Sequence, residues 1–251
     1  IFNFQMNAEP VPLWNFRSQK VYYFVKFADS MNQWNVNSVG GGYKKRIFHD
    51  FNIFGRITSL ENLFLAWRIF RRGKRKKSDV QNFEFYLEDN LFSLQDSLRD
   101  KNYEHAAYTS FYIQDPKLRH IHKAIVRDRV LHQAVFQVLY PVFDKGFIFD
   151  SYSCRFNKGT HAAVLRLTLF ARKLSRNHRR NIFFLKCDIK KFFDSVDQKI
   201  LVNLVERKVK GGDGLRLTQK IIGSFSKSPG RGLPLGNVTS QLFANIYLNE
   251  L

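Results

Sequence analysis

A short apolar segment that ends in a carboxylate is the feature of this chain that most constrains its fold. Residues 183–187 read Phe-Phe-Leu-Lys-Cys, and Asp188 follows them directly before an aromatic-rich turn. The pattern predicts a strand, and a carboxylate at a strand end lies on a rigid element where a divalent metal ion could bind. The alternative role of Asp188 is that of a capping residue for a turn or helix.

Strands and helices alternate along the chain. Tyr108–Ile113 alternates as a strand does and meets a turn signal at Asp115-Pro116. A capping-box pattern joins Thr58 to Glu61 at the start of the first helix. Connections too long for hairpins indicate an α/β or α+β architecture. Helical periodicity is predicted near residues 58–70, 80–99, 126–140 (ending before Pro141), 161–174, 198–208, 215–226 and from 237 onward.

The charge balance indicates a polyanionic partner. Lys and Arg number 41 against 21 Asp and Glu, so the formal net charge is +20. A globular chain this basic most often binds nucleic acid, and an anionic membrane surface is the second alternative. No run is long or apolar enough to span a bilayer, so a membrane is not expected as a partner. Cys154 and Cys187 lack metal-ligand spacing, which fits a reducing, cytoplasmic location.

A second segment, residues 230–245, combines glycines with the start of a helix. The glycines stand at 230, 232 and 236, and they let a backbone approach a ligand closely. A loop that leads into a helix N-terminus is also a ready site for anionic groups. An ordinary glycine-rich helix start is the alternative interpretation.

Both segments, in this order, resemble motifs of reverse transcriptases from bacterial retroelements, the branch that includes group II intron enzymes, retrons and diversity-generating retroelements. Residues 184–196 are similar to the palm motif that carries the first metal-binding aspartate. Residues 232–245 are similar to the motif that lies against the templating base and the incoming nucleotide. Residues 108–130 and 151–161 are similar to fingers motifs, so the resemblance covers about residues 58–251.

The resemblance implies an α+β fold with right-hand polymerase fingers and a partial palm, in which helices pack on a small antiparallel sheet. It implies a poorly ordered extension over residues 1–57, fingers over 58–179 and a partial palm over 180–251. The implied function is that of an RNA-directed DNA polymerase, a nucleotidyltransferase that copies template RNA into cDNA on a primer-template from dNTPs. The implied cofactor is Mg²⁺, two ions in the complete enzyme, and an accessory basic protein is a further implied partner.

The same resemblance implies roles for residues around the nucleotide. Asp188 would be the catalytic, metal-binding carboxylate, and the backbone carbonyl of Ile189 would assist at the metal on the triphosphate side. Phe193 matches the steric gate against a ribose 2′-hydroxyl, with core packing as its alternative role. The other positions that match dNTP-binding residues are Lys117, Arg119, Leu235 and Gly236. The two cationic residues would clamp the triphosphate or contact the template backbone.

A further group of positions matches residues that bind the template or primer. The group comprises Arg127, Arg129, Arg155, Lys158 and Gln241. For the four basic residues, ion pairing with Asp128 or Asp150 is the structural alternative.

One departure from the common pattern refines the subtype. Many reverse transcriptases carry Gln-Gly-x-x-x-Ser-Pro, whereas this chain has Leu235-Gly236 followed, four positions on, by Ser240-Gln241. The aliphatic residue and the Ser-Gln pair resemble the diversity-generating type, whose enzymes copy a template RNA with frequent errors opposite adenine and thereby produce variants of a target protein. The alternatives are a group II intron or defence-associated reverse transcriptase, or a catalytically dead RNA-binding remnant.

A second departure concerns the other metal ligands of the family. The Tyr-x-Asp-Asp motif is not found before Leu251, nor is a thumb. Asp194 and Asp197 lie too near Asp188 within the motif to replace it. The 251 residues by themselves are therefore expected to bind nucleic acid weakly and not to polymerise.

Overall fold

The structure is a computed structural model that describes residues 4–7 and 52–250. The helices among these residues are α1 (Ile53–Thr58), α2 (Leu60–Phe70), α3 (Ser78–Phe85), α4 (Leu87–Arg99), α5 (Val126–Asp144), α6 (Thr160–Leu174), α7 (Phe192–Ser195), α8 (Gln198–Glu206), α9 (Gly212–Gly223) and α10 (Val238–Leu248). The strands are β1 (Phe4–Asn7), β2 (Thr109–Asp115), β3 (Lys117–Lys123) and β4 (Lys186–Ile189). Most of the predicted N-terminal extension lies outside the described residues.

Contacts divide the chain into two compact units. Of the described residues, the smaller unit comprises 4–7 and 148–192, and the larger unit comprises 52–147 and 193–250. Strands β1 and β4 and helix α6 belong to the smaller unit, whereas the β2–β3 hairpin and most helices belong to the larger one. Helices with small antiparallel sheets confirm the coarse prediction of an α+β fold. The fingers and palm boundaries stay a prediction.

Helix α5 is the central element of the larger unit. It contacts α1, α2, α3, α4 and α10, and its residues Val130, Leu131, Val135 and Leu139 are fully buried. Burying each such side chain contributes about 1.5–3 kcal/mol. No helix among the described residues is both long and apolar enough to cross a membrane.

The predicted end of α5 before Pro141 is wrong, because the helix continues to Asp144. A proline inside a helix removes one main-chain hydrogen bond. The ring of Pro141 is exposed, while Tyr140 and Phe143 on either side of it are buried. We infer that the packing of this last turn against the core outweighs the lost hydrogen bond.

The predicted capping box at Thr58 is also wrong. Thr58 is the last residue of α1, and its hydroxyl donates a hydrogen bond to the carbonyl of Phe54 at 3.0 Å. Ser59 caps α2 instead, since its hydroxyl oxygen accepts from the backbone N–H of Asn62 at 3.3 Å. Thr58 does not cap α2 because it is already the last residue of α1, which directly precedes α2.

The predicted strand over residues 108–113 is confirmed as β2, which forms an antiparallel hairpin with β3. The register pairs Tyr112 with His120 and Ile113 with Arg119. Because side chains alternate along a strand, Tyr112 and His120 share one face and Ile113 and Arg119 share the other. Strand β3 was not predicted from the sequence, because apolar and polar residues do not alternate in Lys-Leu-Arg-His-Ile-His-Lys.

Strand β4 carries Asp188, the candidate metal-binding carboxylate. It covers Lys186–Ile189 and is shorter than the predicted strand over residues 183–188. It pairs antiparallel with β1 and places Asp188 opposite Gln5. Asp188 is therefore an exposed residue inside a strand, not a helix cap.

Candidate functional site

Main-chain hydrogen bonds join three segments that are far apart in the sequence. The N–H groups of Gly232 and Leu233 donate to the carbonyls of Val196 and Phe193, at 2.8 and 2.7 Å. The N–H of His122 in β3 donates to the carbonyl of Leu235 at 3.0 Å. The glycine-rich loop therefore links the Phe193 segment to the β2–β3 hairpin.

This linkage joins the segments that carry three of the predicted nucleotide-binding positions, Phe193, Leu235 and Gly236, to one end of β3. Phe193 and Leu235 are half-buried residues of the linked segments. Lys117 and Arg119 lie on β3, whose base bonds to the same loop; Lys117 is exposed and Arg119 is half-buried. Their assignment to a nucleotide stays a prediction.

Gly236 lets the loop lie directly against β3. Its φ is +117°, and a Cβ added there would stand 3.2 Å from Cγ2 of Ile121 and 3.5 Å from the carbonyl oxygen of His122. Asn237 follows at the N-cap of α10 and is buried. Its amide nitrogen donates to the Tyr108 hydroxyl at 3.4 Å, which fixes the end of the loop to the residue that precedes β2.

Gly232→Ala is expected to lower the free energy of unfolding by about 2–4 kcal/mol, from left-handed backbone strain and steric overlap. The φ of Gly232 is +110°, and a Cβ there would lie 2.9 Å from the backbone nitrogen of Lys227. Gly230→Ala is the matched control, because its φ is +69° and a Cβ would meet nothing within 4 Å. Urea denaturation measures both changes, and equal losses would contradict the close approach at Gly232.

A buried polar network, which sequence reasoning missed, lies beneath this loop. The Nδ1 atom of His105 lies 2.6 Å from the carbonyl oxygen of Ala106, so this nitrogen donates. The Nε2 atoms of His105 and His132 share a hydrogen bond at 3.1 Å. The Nδ1 atom of His132 shares another with the Thr239 hydroxyl at 2.7 Å. These bonds tie α5 to the first turn of α10.

The network holds His132 neutral. Burial, and after it the neighbouring His105, lower the pKa of His132 to about 3. A charged imidazolium in this position would lose its hydration without gaining an adjacent carboxylate partner. No sequence pattern marked His132, because a single histidine among apolar helix residues carries no spacing signal.

Arg127 and Arg129 have structural partners in the larger unit. The Nε atom of Arg127 donates to Asp128 at 2.9 Å, and its guanidinium also donates to the carbonyl of Glu104 at 2.6 Å. Arg129 pairs with Asp79 at 2.6 Å. Arg127 therefore shows the ion pairing with Asp128 that was its structural alternative, whereas Arg129 pairs with Asp79 and not with Asp128 or Asp150. Their contact with a template stays a prediction. Gln241 is half-buried in the first turn of α10.

Arg155 and Lys158 lie in a loop of the smaller unit. Arg155 donates to the carbonyls of Ile148 and Ser151 at 2.8 and 3.1 Å. The ammonium group of Lys158 bonds to the carbonyl of Phe149 and lies 3.9 Å from the centroid of the same ring. Both side chains thus brace their own loop.

Asp150, the expected ion-pair partner of these two basic residues, pairs instead with Arg166. The Nε atom of Arg166 lies 2.9 Å from Asp150 Oδ1. The hydrogen bonds to Arg166 and to the Tyr152 hydroxyl lower the pKa of the Asp150 carboxyl, with Arg166 the larger cause. The partner predicted for Arg155 and Lys158 is therefore taken by a residue on α6.

The carboxylates of the described residues do not form a complete metal site. No group of three or more His, Cys, Asp or Glu within residues 4–7 and 52–250 could hold a metal ion. Asp188 contributes one exposed carboxylate on β4, whereas Mg²⁺ requires near-octahedral oxygen coordination. Asp197 caps α8 by accepting from the N–H of Ile200 at 3.1 Å, which agrees with a structural role.

Comparisons with known proteins find relatives among intron-encoded proteins. No family model matches the chain. Protein YkfC of Escherichia coli K12 is 27% identical over 166 residues, which cover 62% of this chain and 43% of YkfC. The group II intron-encoded protein LtrA of Lactococcus lactis subsp. cremoris is 26% identical over 176 residues, covering 66% of this chain and 28% of LtrA. The chain thus spans less than half the length of these relatives.

Solved structures show the same type of fold. A chain of a partial Cas6-RT-Cas1–Cas2 complex has a TM-score of 0.50 and 20% identity, covering 79% of this chain and 34% of that chain. A chain of the Cas6-RT-Cas1–Cas2 complex has the same score and identity and is covered over 21% of its length. The resemblance to reverse transcriptases is confirmed at this level, as low-identity homology to group II intron-encoded proteins and as similarity of fold.

Proposed function

We propose that this chain belongs to an RNA-directed DNA polymerase and supplies part of its nucleotide-binding and template-binding surface. The observation that carries the proposal is the set of main-chain hydrogen bonds from the glycine-rich loop to the Phe193 segment and to β3. These bonds unite, within the larger unit, the glycine-rich loop, β3 and residues 193–196, which end the segment that resembles the palm motif. The low-identity relationship to group II intron-encoded proteins supports it independently.

Within this proposal each residue of the loop cluster has a physical task. The ring of Phe193 fills the volume that a ribose 2′-hydroxyl would need and so favours deoxynucleotides. Lys117 and Arg119 offer cations to the triphosphate, and arginine can bind two phosphate oxygens at once. Gly236 keeps the backbone close to β3 and leaves room beside the nascent base pair.

We propose Mg²⁺ as the cofactor, with the Asp188 carboxylate and the Ile189 carbonyl as ligands. The described residues provide no cluster that completes the coordination shell, so we assign no further ligand among them. The template RNA, the primer-template and dNTPs are the proposed partners. All are polyanions, and a net charge of +20 favours their binding through phosphate contacts.

The proposed function is tested by single-nucleotide incorporation on an RNA template. The full-length gene product is supplied with a primed RNA, a divalent cation and either dNTPs or rNTPs. We expect incorporation of the complementary dNTP and strong discrimination against the matching rNTP. RNA binding without any incorporation would favour the remnant that binds RNA and lacks catalysis.

Two subtypes of reverse transcriptase are supported by different observations. Leu235 and Gln241 favour the diversity-generating type, because an apolar side chain stands where many relatives have an amide. The similarity to LtrA and to the nuclear intron maturase 1 of Arabidopsis thaliana (27% identical over 86 residues) favours the group II intron type. We propose the diversity-generating type and treat the intron type as the second candidate.

Leu235→Gln is expected to reduce misincorporation opposite template adenine several-fold. Discrimination by shape alone is weaker than discrimination by a buried polar group, and the glutamine amide would restore such a group. The loop should keep its place, because it is the carbonyl of Leu235, not its side chain, that bonds to His122. Sequencing of cDNA copied from a defined RNA measures the error rate at each template base.

Leu65→Gln is the matched control for this change in fidelity. Leu65 lies on α2 and is an exposed leucine, so the same substitution there should leave the errors opposite adenine unchanged. An unchanged error rate in the Leu235 variant would argue for the group II intron type.

A further inference from the structure

Five aromatic rings contact one another in series, from the middle of the β2–β3 hairpin to Phe225 and Tyr108. The rings of Tyr112 and His120 lie 4.4 Å apart, centroid to centroid, at an interplanar angle of 8°. His120 is 4.4 Å from His122, and His122 is 4.4 Å from Phe225. Tyr108 completes the series edge-on to Phe225 at 5.8 Å. We call this set of five residues the aromatic ladder.

The ladder is anchored at one end and open at the other. The Tyr108 hydroxyl bonds to Ser224 at 2.9 Å, and burial raises the pKa of that hydroxyl to about 12. At the opposite end Tyr112 is 64% exposed, while its ring is held parallel to His120. The outer ring therefore presents an oriented face to solvent at little cost in conformational entropy.

His122, in the inner part of the ladder, favours its neutral form. Burial lowers the pKa of His122, and His120 and Lys227 lower it further, against the opposing effect of Asp194. A neutral His122 packs between His120 and Phe225 without the cost of a buried charge. The inner rings thus form a stable base for the exposed one.

A cationic residue lies at the inner end of the ladder. Lys227 is near enough to His122 to lower its pKa, whereas Lys117 and Arg119 lie on the opposite face of β3 from His120 and His122. An exposed aromatic ring beside cationic side chains is typical of surfaces that bind single-stranded nucleic acid, where a base stacks and the phosphates meet the cations. Bases inside a duplex are covered on both faces, so only an unpaired base can add to the ladder.

We propose that Tyr112, supported by His120, is a stacking platform for an unpaired base of single-stranded RNA. Lys227, at the inner end of the ladder, meets the strand's backbone phosphates. This proposal rests on the proposed function only for the identity of the bound strand. In a reverse transcriptase the strand is the part of the template RNA that has not yet been copied. The stacking itself does not depend on polymerase chemistry.

The test measures the affinity of the full-length gene product for a labelled single-stranded RNA of about 12 nucleotides. Tyr112→Ala is expected to weaken binding about 5- to 100-fold, which is the contribution of one stacked base. Tyr112→Phe should keep the affinity, because the ring and not the hydroxyl stacks. The slope of affinity against salt concentration should not change, since stacking releases no counterions.

Tyr86→Ala is the matched control. Tyr86 is also an exposed tyrosine, at 59%, but its ring meets Phe85 edge-on at the junction of α3 and α4 and lies outside the ladder. This variant should bind RNA as the wild type does. Wild-type affinity in Tyr112→Ala, or an equal loss in Tyr86→Ala, would overturn the platform.

Two further comparisons separate base stacking from other causes. The effect of Tyr112→Ala should shrink for duplex RNA and for a strand whose bases are replaced by abasic sites. Equal losses on all three probes would show a general effect on the hairpin and would overturn the proposal. Tyr112→Ala should melt at the wild-type temperature, because the side chain is largely exposed.

Failure of the platform and failure of the proposed function give different results. If the wild type extends a primer but Tyr112→Ala binds RNA with unchanged affinity, the platform is refuted and the polymerase function stands. If Tyr112→Ala loses affinity in a base-dependent way but the wild type extends no primer, the polymerase function is refuted and the platform stands as an RNA-binding feature.

Discussion

Asp188→Asn in the full-length gene product is expected to lower RNA-templated DNA synthesis by a factor of about 10³ or more. Asparagine keeps the shape of the side chain and removes its charge. Charge stabilisation at a metal-assisted site contributes several kcal/mol, and each 1.36 kcal/mol corresponds to a factor of ten in rate. The side chain is exposed on β4, so the free energy of unfolding should hardly change.

The measurement is the initial rate of primer extension on RNA at saturating dNTP, together with RNA affinity. Asp96→Asn is the matched control, since Asp96 is an exposed aspartate on α4. We expect wild-type rates from this control and wild-type RNA affinity from both variants. Synthesis at the wild-type rate by Asp188→Asn would remove Asp188 from the proposed catalytic site.

Asp128→Ala is expected to lower the free energy of unfolding by about 3–5 kcal/mol. Asp128 is 0% exposed at the start of α5. Its carboxylate accepts from the Tyr103 hydroxyl at 3.1 Å and from the N–H of Ala106 at 2.8 Å, and it pairs with Arg127. Removing it leaves the Tyr103 hydroxyl and the Ala106 N–H without this acceptor in a buried region, which costs more than the bonds contributed.

Urea denaturation of the full-length gene product measures this loss. Asp144→Ala is the control on the same helix, because Asp144 is only half-buried and accepts from the Tyr140 hydroxyl at 2.9 Å. It should cost about 1 kcal/mol. A loss of similar size in both variants would contradict the view that the Asp128 cluster anchors α5.

The parts of the fold that the sequence predicted are those with a strong local signal. Helix α6 begins and ends within one residue of the predicted range 161–174, because its pattern ends in turn-forming residues. Strand β2 was predicted from its alternation and the turn at Asp115-Pro116. The extent of α5 past Pro141 was not, since a proline is a local stop signal and the packing that overrides it is tertiary.

The candidate site also depends on contacts that no local sequence pattern predicts. Motif resemblance selected Phe193, Leu235 and Gly236, and the structure joins their segments through main-chain bonds. Such bonds use atoms that every residue has, so no sequence pattern could predict them. For the same reason the carbonyl partners of Arg155 were missed, and an ion pair was expected instead.

The aromatic ladder and the buried histidine pair carried no sequence signal for a different reason. The rings of Tyr112, His120 and Phe225 come from three places in the sequence, and only the hairpin register and the packing of residues 224–227 align them. His132 meets Thr239 across 107 positions. Contacts of this range depend on the complete fold.

The proposed polymerase function is tested most directly by extension of a DNA primer on an RNA of defined sequence by the full-length gene product, with dNTPs and Mg²⁺, followed by sequencing of the product. We expect cDNA that is complementary to the RNA, that depends on the RNA and on Mg²⁺, and that is lost in Asp188→Asn. No extension, or a product that forms equally well without the RNA template, would contradict it.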